Sequence, residues 1–459
     1  MAELQRTYRG SAARPDDERR GPERAVVIAS LAGDAEDERA RLGELRELLK
    51  TAGARVERTL VQHRQTPDPR TYLGKGRLTE LAELVEQLKP DLIAAEGSLT
   101  PGQQRALEDR LKTRVVDRAA VILDIFAQHA RSAEGKLQVE LAQLEYSYAR
   151  QEGLWQHLER LGGGVGTRGP GETQLESDRR IVRNRMAAVR RRLREVTRSR
   201  DLQRGRRLAS GTPRAALAGY TNAGKSSLMN ALTGASAAVD DALFETLDPT
   251  TRRLEHDGHE LLLSDTVGFI RHLPHQLVNA FSATLEEVRD ADLVLHVADA
   301  AEPEARREAQ AAAVEEVLAE IGAAEVPRLL VMNKVDLLDA ADRAALAARE
   351  PDAAMVSART GEGLDALRGR LVERARSELT AIDVTIPYSE GSLLSTIYAS
   401  GRDIEQEATE QGTRVRALVS AADAARIRSA LGGALRDGSA GGSAPRAPRT
   451  RPPGGAPPA

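Results

Sequence analysis

Nine consecutive residues, Gly219 to Ser227, constrain this 459-residue chain more than any other stretch. They read Gly-Tyr-Thr-Asn-Ala-Gly-Lys-Ser-Ser and lie between the apolar run Arg214 to Ala218 and the helical pattern Leu228 to Leu232. A strand, a loop of the form G-x-x-x-x-G-K-[ST] and a helix predict a phosphate-binding loop, whose backbone N–H groups point at the anion. We expect Lys225 to reach the β- and γ-phosphates and the Ser226 hydroxyl to bind Mg²⁺.

Two further motifs each follow an apolar strand. Asp265-Thr-Val-Gly268 comes directly after one such run, so that Asp265 is placed to hold Mg²⁺ through water and the Gly268 N–H to meet the γ-phosphate. Asn333-Lys-Val-Asp336 follows another. The Asp336 carboxylate can accept from the adjacent N1 and N2 hydrogens of guanine, which adenine does not offer, so guanine is favoured. Ser357-Ala-Arg359, after the next strand, is placed to close over the base.

The segment Phe244 to Thr251 lies between the phosphate loop and Asp265, where such proteins carry a mobile threonine that completes the Mg²⁺ shell. We choose Thr246 for this role. Thr250 and Thr251 remain alternatives, because spacing alone does not decide among the three.

Together the motifs predict a Mg²⁺-dependent enzyme that converts GTP to GDP and phosphate. Lys225 and Thr246 are the predicted catalytic residues, and Ser226 and Thr246 the predicted metal ligands. The predicted GTP-binding residues are Gly219, Tyr220, Thr221, Asn222, Ala223, Gly224, Lys225, Ser226, Phe244, Glu245, Thr246, Leu247, Asp248, Asp265, Thr266, Val267, Gly268, Asn333, Lys334, Val335, Asp336, Ser357, Ala358 and Arg359.

Phe269 departs from the usual pattern. It stands where many GTPases place a glutamine that orients the attacking water, and a phenylalanine can neither donate nor accept a hydrogen bond. We therefore predict slow intrinsic hydrolysis, accelerated by a partner or by rearrangement of the segment after Gly268.

Asn222 resembles the asparagine with which some GTPases bind K⁺ beside the phosphates; the alternative is a residue that only forms the turn.

Composition limits what else the chain can be. Its length suggests about three domains. The chain has no cysteine, which excludes disulfides and cysteine metal sites. Its net charge is only -3 although 29% of the residues are charged, so local patches matter more than the total. No apolar run approaches the roughly 20 residues of a membrane span, and we expect a soluble, cytoplasmic monomer.

The N-terminal region reads as a small domain. Residues 1–22 are polar without periodicity, which predicts disorder. Over residues 23–133, apolar strands alternate with helical patterns, which predicts a parallel α/β domain. Gly74-Lys-Gly76 precedes one of these helices. It either starts that helix as a turn or binds a phosphate of RNA or nucleotide.

Residues 134–207 predict an antiparallel helical hairpin. Apolar residues recur at coiled-coil spacing in Leu137 to Tyr148 and again in Val182 to Val196. Between them, Gly162 to Glu172 is too rich in glycine to be helical and predicts a flexible tip. The second helix carries many arginines, which suit RNA phosphates; the alternative is a solvated face neutralised by acids of the first helix, Glu140, Glu145 and Glu152. These arginines are Arg179, Arg180, Arg183, Arg185, Arg190, Arg191, Arg192, Arg194, Arg198, Arg200, Arg204, Arg206 and Arg207.

The predicted fold class is therefore α/β, with a phosphate-loop GTPase domain at residues 212–378 preceded by the small α/β domain and the hairpin. A small α+β domain follows at 383–431. Its Arg414 and Arg416 lie on one face of a strand, either as an RNA contact or as charges that protect an edge strand. Residues 432–459 are rich in Gly, Pro, Ser and Arg, which predicts a disordered tail.

The motifs add up to a recognisable pattern. Asp117 to Phe126, Glu134 to Leu144, Gly162 to Arg180 and the GTPase signatures with Phe269 closely resemble the HflX-type GTPases, over about residues 24–430. In that family the residue after the Asp-Thr-Val-Gly signature is hydrophobic, as Phe269 is, and the Mg²⁺ threonine matches Thr246.

The resemblance implies a ribosome-associated GTPase that binds the large ribosomal subunit and splits or rescues stalled or idle ribosomes, notably under stress. It places the protein in the cytoplasm, partly on ribosomes or on the membrane surface. Two other functions stay open at this point. One is an RNA-binding scaffold that holds GTP with little turnover. The other is an ATP-dependent RNA remodeller working through the N-terminal domain, since some family members are reported to use ATP there.

Overall fold

The structure is a computed structural model that describes residues 21–33, 35–161, 170–209, 212–235, 243–244, 248–271, 282–377 and 379–431. Residues 1–20, residues 162–169 of the predicted glycine tip, Glu245, Thr246 and Leu247, and residues 432–459 lie outside these ranges. The two chain ends predicted to be disordered are therefore not described, except for Gly21 and Pro22. The chain divides into two compact units, residues 1–206 with 212–375 and residues 207–211 with 376–459. No helix in the described part is long and apolar enough to cross a bilayer.

The first unit begins with a parallel sheet in the strand order β2-β1-β3-β4. Its strands are β1 Glu23–Leu31, β2 Ala54–His63, β3 Leu92–Ala95 and β4 Arg114–Asp117. Its helices are α1 Ala35–Thr51, α2 Lys75–Leu88, α3 Pro101–Leu111 and α4 Arg118–His129. Strand β1 is a continuous apolar run because both faces of the sheet are covered, and Ala25 to Ala29 are fully buried. The predicted parallel α/β fold is confirmed.

Two long helices follow, α5 Ala133–Leu161 and α6 Pro170–Ala209. The predicted glycine tip extended to Glu172, but α6 already begins at Pro170, a residue whose fixed φ suits the first helical position. Buried residues of α5, such as Val139 and Tyr146, belong to the core that lies under the N-terminal sheet. The half-buried Leu137, Leu141, Leu144 and Tyr148 lie beside them, so α5 has two packed faces rather than one seam.

A six-stranded sheet forms the rest of this unit, in the order β10-β9-β8-β5-β7-β6. Its parallel strands are β5 Arg214–Gly219, β7 His259–Asp265, β8 Leu293–Asp299, β9 Arg328–Asn333 and β10 Ala354–Met355, and β6 Thr250–His256 is an antiparallel edge. The helices are α7 Lys225–Thr233, α8 Ser282–Arg289, α9 Glu304–Glu320, α10 Ala340–Arg349 and α11 Leu364–Ser377. The nucleotide motifs follow β5, β7, β9 and β10, and therefore meet at one edge of the sheet.

The second unit contains an antiparallel sheet in the order β11-β13-β12. Its elements are β11 Leu379–Ile386, α12 Gly391–Ser400, β12 Arg402–Thr409, β13 Gly412–Ser420 and α13 Ala421–Ala430. The edge-strand alternative for Arg414 and Arg416 was wrong, because β13 is the central strand, and the RNA-contact alternative stays a prediction. Both guanidinium groups pair with Asp383 across the sheet, Arg414 at 2.7 Å and Arg416 at 3.2 Å.

Candidate functional site

The phosphate loop connects β5 to α7, and Lys225 is the first residue of that helix. Gly224 has φ +85°, and a Cβ there would lie 2.4 Å from the Asn333 amide, so only glycine fits. The Lys225 ammonium donates to the carbonyls of Gly219 at 3.0 Å and Tyr220 at 2.9 Å. Burial lowers the pKa of Lys225 to about 8, although the Asp265 charge opposes the shift. The lysine is thus held within the loop, where an anion would restore its full charge.

Two oxygen donors meet beside the loop. The Ser226 hydroxyl donates to the Asp265 carboxylate at 2.7 Å, and Asp265 is only 1% exposed. Hydroxyl and carboxylate oxygens are ligands that suit Mg²⁺. No group of three or more His, Asp or Glu side chains in the described part of the chain could hold a metal by itself. A cation here would therefore take its remaining ligands from phosphate and water.

The residues predicted to recognise the base make two sets of contacts within the six-stranded sheet domain. The Asn333 amide donates to the Ala223 carbonyl at 2.9 Å and accepts from the Ala358 N–H at 3.0 Å. The Ser357 hydroxyl donates to Asp336 at 2.6 Å, and the Arg359 guanidinium lies 2.5 Å from the other carboxylate oxygen. These contacts, that of Ser357 first, lower the pKa of Asp336 and favour its charged carboxylate, which could accept hydrogen bonds from a base.

Two residues that contact predicted site residues were not themselves predicted. Asp299, which ends β8, is the first, and it makes a 2.7 Å ion pair with Lys334 of the Asn-Lys-Val-Asp motif. The sequence did contain a signal, since Asp299 follows the apolar run Leu293 to Ala298 just as Asp265 follows its own strand. Glu44 is the second, and it belongs to a distant helix whose sequence contains no such signal.

Phe269 is buried at 1% exposure rather than facing the phosphates. Its N–H donates to the Gly219 carbonyl at 3.0 Å and its carbonyl accepts from the Thr221 N–H at 2.8 Å, so the segment after Asp265 is tied to the phosphate loop. The ring belongs to the core that also contains Phe126 of the N-terminal domain. A hydrophobic residue is therefore required here for packing, and the side chain cannot orient a water molecule.

Tyr220 of the phosphate loop reaches the N-terminal domain through a buried polar cluster. Its hydroxyl donates to Glu44 of α1 and accepts from the Arg271 N–H at 3.0 Å. Glu44 is also 2.8 Å from Arg118 of α4, and both of these side chains are buried. Burial, followed by the Glu44 charge, raises the pKa of Tyr220. The phosphate loop and the segment after Gly268 thus share one hydrogen-bonded cluster with α1 and α4.

Two predicted GTP-binding residues point elsewhere. The Phe244 ring packs edge-on against Phe126, with centroids 4.7 Å apart. The Asp248 carboxylate accepts from the backbone N–H groups of Arg131 at 2.9 Å and Ser132 at 2.7 Å, at the start of α5. Both side chains therefore contact distant helices rather than the phosphate loop, and a part for these two residues in GTP binding stays a prediction.

The two other threonines that could bind Mg²⁺, Thr250 and Thr251, do not lie in a loop. Thr250 and Thr251 lie in strand β6, where Thr250 pairs with Asp265 and the Thr251 hydroxyl lies 2.9 Å from that of Ser264. They therefore do not belong to a mobile loop. Thr246 lies outside the described residues, as do Glu245 and Leu247, and its role stays a prediction.

Gly74-Lys-Gly76 starts helix α2, which matches the simpler of its two interpretations. The Gly74 N–H donates to the Gln62 side chain at 2.8 Å and is not available for a phosphate. The crevice between β1 and β3, where a parallel sheet of this order would bind a ligand, is closed by Tyr72. The Tyr72 hydroxyl accepts from the N–H groups of Ser30 and Gly97, each at 3.2 Å.

Helix α6 presents a candidate nucleic-acid surface. Arg185 and Arg190 pair with Glu140 and Glu145 of α5, as the neutralised-face alternative expected. Five other arginines are exposed and form no ion pair with any residue that the structure describes. They lie at helical spacing along one side of α6, which runs from the flank of the buried face of Val182, Met186 and Val189, at Arg183, to the face opposite it. This arginine face consists of Arg180, Arg183, Arg191, Arg194 and Arg198.

Four family models together match most of the chain. The GTP-binding GTPase N-terminal model matches residues 39–127, and the GTP-binding GTPase Middle Region model matches 129–207. The 50S ribosome-binding GTPase model matches 214–334, and the HflX C-terminal domain model matches 342–438. The boundary between the first two falls where α4 ends and α5 begins.

Several individual proteins are similar over most of their length. The GTPase HflX of Caldanaerobacter subterraneus is 46% identical over 410 residues, which cover 89% of this chain and 94% of that protein. The GTPase HflX of Escherichia coli is 45% identical over 373 residues, or 81% and 87% of the two chains. A solved GTP-binding protein from Sulfolobus solfataricus, in complex with GDP, is 24% identical with a TM-score of 0.41, covering 77% of this chain and 99% of that one. The chain belongs to the HflX family of GTPases.

Proposed function

We propose that this GTPase docks on the large ribosomal subunit through the hairpin, that its nucleotide state governs the docking, and that it splits or rescues stalled or idle ribosomes under stress. The arginine face of α6 is the observation that carries the docking proposal. Its five exposed guanidinium groups, which pair with no acid in the described part of the chain, lie on one side of a long helix. Such a row suits the phosphates of ribosomal RNA.

Hydrolysis in this proposal relies on charge and positioning. Lys225 and the loop amides hold the triphosphate, and Ser226, Thr246 and Asp265 hold Mg²⁺, directly or through water. When bound, the ion neutralises charge that develops on the transferred phosphoryl group. K⁺ beside Asn222 would add to this; Asn222 has φ +62°, which equally suits an asparagine that only turns the loop.

The buried Phe269 supports slow turnover by the free protein, which is also what a GTP-holding RNA scaffold would show. Phosphate release with and without purified large subunits separates the two functions. Stimulation by the subunits supports the GTPase cycle, and its absence favours the scaffold. The closed crevice at Tyr72 and the occupied Gly74 amide give no support to ATP-driven remodelling through the N-terminal domain.

Co-sedimentation with separated ribosomal subunits, in a non-hydrolysable GTP analogue and at two salt concentrations, tests the docking. Replacing Arg183, Arg191 and Arg194 with glutamine should weaken binding to the large subunit. The slope of the logarithm of the binding constant against the logarithm of the salt concentration should also become shallower, by about 1 for each phosphate that is no longer neutralised. The matched control replaces Arg185 and Arg190, which already pair with glutamates. Equal weakening in both variants would contradict a specific role for the arginine face.

A further inference from the structure

The motif predicted to recognise guanine begins where strands β8 and β9 end together. Asp299 is the last residue of β8, and in the parallel register it lies beside Asn333, the last residue of β9. The Ala300 N–H donates to the Asn333 carbonyl at 2.8 Å, so the pairing of the two chains continues one residue past β8. The backbone of the motif is therefore fixed to β8 at its first residue.

Lys334, the second residue of the motif, has an unusual backbone conformation. Its φ is +66° and its ψ +29°, in the left-handed region that residues other than glycine adopt infrequently. The next peptide group is fixed again, because the Val335 N–H donates to the Val356 carbonyl at 3.2 Å, directly after β10. Lys334 thus forms a sharp bend between two fixed peptide groups. Asp336 follows two residues later, so this bend decides where its carboxylate lies relative to Asn333.

A strained conformation persists only where its surroundings hold it, and here the side chain of Lys334 is held by an ion pair. Its ammonium donates to the Asp299 carboxylate at 2.7 Å. The other carboxylate oxygen accepts from the Ala301 N–H at 2.9 Å, so Asp299 is itself fixed by the turn after β8. The side chains of Lys334 and Asp299 are only 26% and 15% exposed, which limits the screening of their charges.

The side chain of Asn333 is held independently of this pair. Its amide donates to the Ala223 carbonyl of the phosphate loop and accepts from the Ala358 N–H. Loss of the ion pair should therefore leave Asn333 in place and act on the residues after it. Among these, Asp336 is the residue predicted to select the base.

We infer that Asp299 is a positioning residue for guanine recognition. By binding the Lys334 ammonium it holds the bend at Lys334, and so fixes the Asp336 carboxylate where it accepts both the N1 and the N2 hydrogen of guanine. The inference rests on the predicted role of Asp336. It gives β8 a part in base selection, although none of the residues predicted from the nucleotide motifs lies on that strand.

The test compares the affinities of the full chain for GDP and for inosine diphosphate (IDP), both with Mg²⁺. IDP lacks the N2 amino group and offers only one of the two hydrogens, so the wild-type protein should bind GDP more tightly. Asp299→Ala should weaken GDP binding about tenfold, near the lower limit for a hydrogen bond between charged groups. It should weaken IDP binding only about threefold, because a displaced carboxylate loses one bond to IDP rather than two. The ratio of GDP affinity to IDP affinity should therefore fall about threefold.

Asp292→Ala is the matched control, because Asp292 makes the same kinds of contact directly before β8 that Asp299 makes at its end. The Asp292 carboxylate accepts from the Arg214 N–H at 2.8 Å and pairs with the Arg214 guanidinium at 3.2 Å. This variant should lose a similar amount of stability in chemical denaturation and leave the affinity ratio unchanged. The comparison separates positioning from a general loss of stability.

Lys334→Met tests the same link from the other side, since it removes the ammonium and keeps a long side chain. It should lower the affinity ratio as Asp299→Ala does. The double variant should lower it no further, because both substitutions remove one and the same ion pair. Amide hydrogen exchange at Val335 should be faster than in the wild-type protein in all three variants, and unchanged in Asp292→Ala.

A normal wild-type ratio that Asp299→Ala leaves unchanged, with GDP and IDP weakened equally, would overturn the inference alone. A fall of the ratio in Asp292→Ala as large as that in Asp299→Ala would overturn it as well, and so would a further fall in the double variant. If Asp299→Ala does not fold, Lys334→Met decides, and an unchanged ratio there overturns the inference. Wild-type protein that binds GDP and IDP equally would overturn the predicted role of Asp336 together with the inference.

Discussion

The two ends of the nucleotide site are built differently. The predicted guanine end consists of Asn333, Asp336 and Ser357. Ser357 donates to Asp336, and Asn333 bonds to Ala223 and Ala358 of the same six-stranded sheet domain. The phosphate end contains Tyr220 and Phe269, whose side chains are held by the N-terminal domain. We therefore expect base selectivity to depend on one domain. The segments predicted to meet the phosphates, in contrast, also contact the N-terminal domain.

The largest effect is expected for a substitution at the predicted guanine end. It tests whether base recognition depends on the six-stranded sheet domain alone. Asp336→Asn should weaken GTP binding about a thousandfold or more, because one of guanine's two hydrogens then faces an amide donor. Xanthine carries a carbonyl in place of the N2 amino group and should bind the variant better than guanine does. Competition between GTP and XTP measures the change.

The control for that experiment is Arg359→Ala. Arg359 also contacts Asp336, but it is 73% exposed, and exposed ion pairs contribute little. We expect a change in GTP affinity of less than about threefold. If Asp336→Asn altered the hydrogen-bonded cluster around Tyr220 as well, the separation between the two ends would be wrong.

The next effect concerns the phosphate end. Phe269→Gln introduces the residue type that orients water in other GTPases, but into a buried position, and should lower the stability of the first unit by about 3 to 5 kcal/mol. Hydrolysis should not increase. Chemical denaturation with parallel phosphate-release assays measures both quantities. Phe269→Leu, which keeps the position apolar, should cost less than about 1.5 kcal/mol. Faster hydrolysis by a fully stable Phe269→Gln protein would contradict the packing role.

The smallest effect is the pH dependence of phosphate binding. Lys225 has a pKa of about 8 in the free protein because it is buried, and bound phosphates raise that value by stabilising the charged form. Binding therefore takes up a proton above pH 8, and affinity should fall as the pH rises from 7 to 9, by at most about tenfold. Lys225→Arg, which stays charged, should show a flat profile. Parallel profiles for the two proteins would assign the pH dependence to another group.

The same contrast explains what could be predicted from the sequence. The phosphate loop, Asp265 and the Asn333 to Asp336 motif each follow an apolar strand directly, so local pattern and topology suffice to bring them together. Phe244 and Asp248 could not be placed in this way, because their partners, Phe126 and the start of α5, lie far away in sequence.

Strand β6, unlike Phe244 and Asp248, could have been predicted, because the sequence contains a signal for it. Asp257-Gly258 joins β6 to β7, and both residues have positive φ, at +49° and +76°, as a two-residue hairpin turn requires. Interpreting that dipeptide as a hairpin would have paired Thr250 with Asp265 and removed Thr250 and Thr251 from the candidates for a mobile loop.

Because α5 is long, a small tilt at its N-terminal end produces a large displacement at its C-terminal end. The helix has 29 residues from Ala133 to Leu161. At 1.5 Å per residue it is about 44 Å long, so that a tilt of about 5° at the end held by Asp248 displaces the opposite end by about 4 Å. A tilt too small to repack the nucleotide site would thus move the far end of α5 by a distance comparable to the width of a ribose ring.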